Sequence, residues 1–115
     1  MPSPQAIRLT TLRAERQYAA AEAGWRAARE PKQLARFLAD HDRRIAEAVT
    51  IAESAAALRR DIFTDDALAW AYFKAGRIGE AKIAIGRALR TGSKDPAIRA
   101  HAAAIRAAVI ASGAQ

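Results

Sequence analysis

Apolar residues recur along this chain at intervals of three and four, the period of a helix with one buried stripe. Ile7, Thr11, Ala14, Tyr18, Ala21 and Trp25 fall near one side of a segment bounded by Pro4 and Pro31, and they predict a long amphipathic helix over 5–29. It ends there because the residue before a proline is pushed out of helical space. Pro31 is placed to open a second helix over 31–41, where a missing N–H costs nothing, with Leu34, Phe37 and Leu38 as its stripe. Asp42 is the expected cap of a third, over 43–60, in which Ile45, Ala48, Val49, Ala52 and Ala56 keep the pattern. Thr64-Asp65-Asp66 reads as the start of a fourth, over 64–75, since a capping hydroxyl and two carboxylates suit the positive end of the helix dipole. That helix carries Leu68, Ala69 and Tyr72 and stops at Gly76. A fifth, over 78–91, stops at Gly92, and both glycines suit a left-handed C-terminal cap. Asp95-Pro96 opens a sixth, over 96–111. Gly24, Gly79 and Gly86 fall inside these helices, where close packing is the expected reason. No segment alternates as a strand would, so the expectation is an all-α fold of about six helices with short connections, paired as antiparallel hairpins.

The pattern also repeats. Ile45-Ala46-Glu47-Ala48 returns as Ile78-Gly79-Glu80-Ala81, an offset of 33, which also sets Phe37 against Trp70 and Ala55 against Ala88. A period near 34 residues belongs to helical hairpin arrays.

The stretch from Asp65 to Leu89 resembles one tetratricopeptide repeat (TPR). Leu68, Ala69 and Tyr72 match the large, small and aromatic positions of the family's first helix. Gly76 matches its turn, and Ala81, Ile85 and Ala88 match its second helix. The closing proline is displaced to Pro96. On this resemblance 5–30 is a long N-terminal helix, 31–60 a degenerate repeat, 61–93 the best repeat and 94–115 a terminal helix, similar to the C-terminal repeats of longer bacterial TPR proteins. In the degenerate repeat, Arg36 takes the small position, Ala39 the Tyr position, and Asp42-Arg43-Arg44 the turn. The resemblance implies a right-handed stack of hairpins whose first helices line a concave groove, and a role in binding other proteins rather than in catalysis.

Within that groove the expected partner-binding residues are Phe37, Phe63, Trp70, Phe73 and Lys74, with Ala67 on the same side. Leu34, Phe37 and His41 are the repeat-equivalents of Ala67, Trp70 and Lys74. Aromatic residues edged by Lys74 and Gln33 suit a peptide or an amphipathic helix. The competing expectation is that the long first helix covers Trp70 and Phe37, because an alanine-rich core needs its few aromatics as filler. Gln33 and Asp66 stand where a TPR carboxylate clamp would need donors, and the chain has no Asn, so that activity does not carry over.

Charge adds a second candidate. The chain of 115 residues has 19 basic against 12 acidic residues, a formal charge of +7. Arg36, Arg43, Arg44, Arg59 and Arg60, interleaved with Phe37, are the alternative site, for weak binding of RNA or other nucleic acid through phosphates and a stacked base. Asp40, Asp42, Glu47 and Asp61 lie among them, which favours a salt-bridged surface over a focused field.

Other chemistry finds no pattern. The sequence has no Cys and only two His, and Asp40-His41-Asp42 lacks a second ligand group at metal spacing. No glycine-rich phosphate loop or activated-serine motif occurs. No metal, cofactor or enzymatic activity is therefore expected. The start lacks the regions of a signal peptide and no run reaches about 18 apolar residues, so a cytoplasmic protein without membrane association is expected. The terminal helix, with Ile98, Ile105 and Val109, is expected to expose an apolar face that a second chain covers in a homodimer.

Overall fold

The computed structural model describes residues 3–113. They form six helices: α1 (Pro4–Ala28), α2 (Pro31–Asp40), α3 (Ile45–Leu58), α4 (Ile62–Lys74), α5 (Ile78–Ala88) and α6 (Pro96–Ser112). No strand occurs among the described residues. None of their helices is long and apolar enough to cross a membrane.

Local chemistry sets the helix ends. Pro4, Pro31 and Pro96 each occupy a first turn. Ser3 caps α1 by accepting from the Ala6 N–H at 3.1 Å, and Asp95 caps α6 by accepting from Ala97 and Ile98. The cap of α4 is Asp61, not Thr64: its carboxylate accepts from the Thr64 N–H at 2.8 Å. That bond holds the Asp61 carboxyl below its ordinary pKa. The helix therefore starts two residues before the sequence expectation, and Thr64, Asp65 and Asp66 move into its buried interior.

Asp42 does not cap α3 either. It adopts a left-handed conformation with φ 52° and closes α2, its N–H donating to the Ala39 carbonyl while the Arg43 N–H donates to Leu38. Gly76, with φ 78°, closes α4 with the same two bonds, from Gly76 to Phe73 and from Arg77 to Tyr72. Both are Schellman caps. Asp42 therefore stands to α2 as Gly76 stands to α4, an offset of 34 rather than 33. One extra turn residue before Ile45 restores the offset of 33 for α3 and α5. This register corrects the sequence reading of the earlier hairpin. Its small position is Ala35, matching Ala69, and Leu34 and Leu38 match Leu68 and Tyr72. All six are buried.

Two antiparallel hairpins, α2–α3 and α4–α5, form the body. Helices α2, α4 and α6 lie side by side, with α3 wedged against α2 and α4, and α5 against α4 and α6. The core joins a few large residues (Leu34, Leu38, Leu68, Ile85, Ile98, Ile105) to many alanines, of which Ala48, Ala52, Ala69, Ala81 and Ala88 are fully buried. Methyl side chains at these contacts let the backbones approach closely without rotamer cost. The three intrahelical glycines need a different account from close packing: a Cβ at Gly24, Gly79 or Gly86 would meet nothing within 4 Å.

Tyr72 is the large polar member of this interior. Its hydroxyl donates to Glu53 Oε2 at 2.7 Å, tying α4 to α3, and the Arg77 guanidinium lies 4.6 Å from its ring centroid. Burial, and then the Glu53 hydrogen bond, push its pKa up from 10.0 to about 12. The protonated form is thus favoured by folding, so this contribution is complete below pH 10 and is lost as pH rises toward 12. Chemical denaturation across that window should show stability falling in the wild type, and Tyr72→Phe should remove this part of the slope.

Helix α1 stands apart. It packs on α2, makes no backbone approach to α4, and buries only Glu22. Of its predicted stripe, Ala14, Tyr18 and Ala21 are half-buried, whereas Ile7 and Trp25 are exposed, as are Leu9 and Leu12. Charge pairs hold it: Glu15 to Arg43, Glu22 to Arg44, and Arg26 to Glu47. The radius of gyration is 15.8 Å, against about 13 Å for a compact domain of this length. That excess fits a stack with a projecting arm.

Candidate functional site

Between α2 and α4 runs a strip of side chains spaced by one helical turn. Helix α4 contributes Phe63, Ala67, Trp70 and Lys74; α2 contributes Lys32, Gln33, Arg36, Asp40 and, just past its end, Asp42. The offset of 34 explains the pairing, because Gln33, Arg36 and Asp40 are the register-equivalents of Ala67, Trp70 and Lys74.

The strip has two halves. Around Trp70 it is cross-linked. The indole Nε1–H donates to Asp40 Oδ1 at 2.7 Å, and Lys74 Nζ pairs with Asp42 at 3.2 Å while sitting 5.3 Å from the indole centroid. The indole also stacks on Phe73, centroids 4.8 Å apart, and on His101 of α6 at 4.0 Å. Trp70 thus links three helices, none of them α1. The expected choice between an open groove and one filled by the first helix meets a third outcome: neighbouring first helices hold the indole themselves.

Around Phe63 the strip is open. Phe63 is 48% exposed and edges a hollow of about 260 Å³ with Ala67, Lys32, Gln33 and Arg36. Lys32 Nζ lies 5.8 Å from its ring centroid. The described residues lining this hollow include two cations and no carboxylate.

Of the expected partner-binding residues, Phe63, Trp70 and Lys74 therefore share the strip, and Phe73 supports Trp70 from the side. Phe37 leaves it. Its ring faces α1, with centroids 6.4 Å from Tyr18 and 4.6 Å from His41. The one-residue register shift turns it through about 100°. His101 and Asp40 are the members that sequence reasoning missed. His101 Nδ1 lies 2.8 Å from Asp66 Oδ1 in a buried pair, which orients the imidazole beneath the indole. Only the offset of Asp40 from Lys74 signals its place in the sequence.

The alternative basic site does not assemble. Arg43 and Arg44 sit at one end of α3 and bind Glu15, Glu22 and Glu47. Arg59 and Arg60 sit beyond the other end, bound to Asp61 and Asp65. A helix of 14 residues separates the two pairs, about 21 Å. Arg36 belongs to the strip. Asp40, His41 and Asp42 likewise diverge, toward Trp70, Tyr18 and Lys74.

Comparison with protein-family models, curated proteins and solved structures gives no match.

Proposed function

We propose that this chain is a non-catalytic protein-interaction module of the TPR kind, taking a peptide along the α2–α4 strip. The observation that carries this reading is the open half: an aromatic ring left 48% exposed beside Lys32 and Arg36, on a face built by consecutive first helices. Exposed aromatics with a cationic rim are the residue types that anchor protein partners. The cross-linked half gives the strip a rigid wall, so little ordering cost falls on the protein when a ligand docks. A peptide that places an apolar side chain over Phe63 and a carboxylate toward Lys32 and Arg36 fits this chemistry.

The test is selection of displayed random peptides on the full chain. Selected peptides should lose about tenfold or more in affinity on Phe63→Ala, and again on Arg36→Glu, with helicity unchanged. Peptides that bind both variants as well as wild type would place the site elsewhere. A selection that enriches nothing would reject the interaction reading.

A further inference from the structure

A second surface is lined by residues that the strip does not use. Helices α5 and α6 enclose a groove of about 630 Å³. Its floor is aliphatic, with Ile85 from α5, Leu89 capping that helix, and Ala102, Ile105, Val109 and Ile110 from α6. Ile110 is 72% exposed. Ile98 and Ile105, expected on an open face, are instead core residues at 0% and 1% exposure, so the open face belongs to the next strip of α6 around the helix.

Lining positions on α6 recur from Arg99 through Ala102 and Arg106 to Ile110, about three turns or 16 Å. Lys82 and Ile85 of α5 and its cap Leu89 run beside them. Ala103 and Ala107 keep that wall low. A trough of this length between two helices, with small residues on one wall, has the shape that accepts a third helix.

Its charge selects the occupant. The described lining residues include Lys82, Arg99 and Arg106, and no carboxylate. A second copy seated on the same groove about a two-fold axis would bring like charges together. The open half of α1 is no better suited, since it carries Arg8 and Arg13 without an acidic residue before Glu15. Nor does the floor offer an aromatic ring on which a nucleobase would stack. We infer that the α5–α6 groove docks an acidic amphipathic helix from a partner protein, with aliphatic residues at positions i, i+3 or i+4, and i+7 in the trough and Asp or Glu at its edges. This surface is independent of the α2–α4 strip.

The probe is a synthetic helical peptide of leucine and glutamate with that spacing, and a control in which lysine replaces every glutamate. Titration calorimetry and amide shift mapping use the full chain. The acidic peptide should bind with shifts centred on Ile85, Leu89, Val109 and Ile110, and more weakly as salt is raised. Arg99→Glu with Arg106→Glu should weaken it about tenfold or more and admit the lysine peptide, whereas Arg8→Glu with Arg13→Glu, the same change of net charge, should leave affinity within about threefold. Ile110→Asp, an exposed site, should abolish binding if the arginine variant fails to fold. Equal loss from both charge reversals would reduce the effect to net charge and overturn the proposal, as would shifts confined to the α2–α4 strip. A wild-type dimer that Ile110→Asp converts to monomer would give the groove to a second copy and overturn it too. Phe63→Ala should leave this binding unchanged, so the two surfaces can fail separately.

Discussion

Ile105→Arg is expected to destabilise the protein by roughly 3–5 kcal/mol, the cost of an uncompensated charge at a buried position beneath the α5–α6 groove. Ile105 is 1% exposed within the core cluster. Arginine adds volume as well as charge, and a buried side chain beside Ile85, Leu89 and Val109 cannot be enlarged without strain. Thermal and urea melts followed by circular dichroism should show lost cooperativity or a greatly lowered midpoint. A variant that melts like wild type would place position 105 at the surface. Ile110→Arg, five residues on and 72% exposed, should change stability little.

Arg90→Ala carries the second large effect. Asp65 is fully buried in α4 and accepts from Arg90 at 2.7 Å and from Arg60 at 3.4 Å. Both arginines reach in from half-exposed positions. Removing Arg90 leaves a buried carboxylate with the longer and poorer partner. The expected loss is about 2 kcal/mol, below that for a wholly unpaired charge because Arg60 stays and solvent screens the arginine side. Asp65→Asn in the Arg90→Ala background should recover part of it, and a double-mutant cycle measures the coupling. A coupling near zero would mean that the pair is incidental to folding.

These two sites also show where the sequence was readable. Prolines 31 and 96, Gly76 and the apolar period locate all six helices within two or three residues, because caps and periodicity are local properties. Asp65 and Asp66 read as helix-start residues for the same reason: two carboxylates after a hydroxyl satisfy a local rule. The shorter of Asp65's two ion pairs and the partner of Asp66 lie 25 and 35 residues away, at Arg90 and His101, where no local pattern points. Ile105 reads as a surface residue because α6 carries alanines on every side, so its few large residues define no single stripe. The expected groove and the observed strip differ by one residue of register. Asp42 takes the left-handed turn position usually given to glycine, the register of α2 moves by one, and Phe37 exchanges its place with Arg36. Asp can adopt that conformation, but only the backbone shows that it does.

The alanine contacts that let these helices lie close also shape how the protein responds to temperature. Unfolding raises the heat capacity in proportion to the apolar surface newly exposed to water. An interior filled largely by methyl groups exposes less of it than one of leucine and isoleucine over the same chain length. The increment is accordingly smaller and the curve of stability against temperature broader and flatter. Such a protein changes its margin gently on warming or cooling, and cold weakens it less than it weakens a richly aliphatic core.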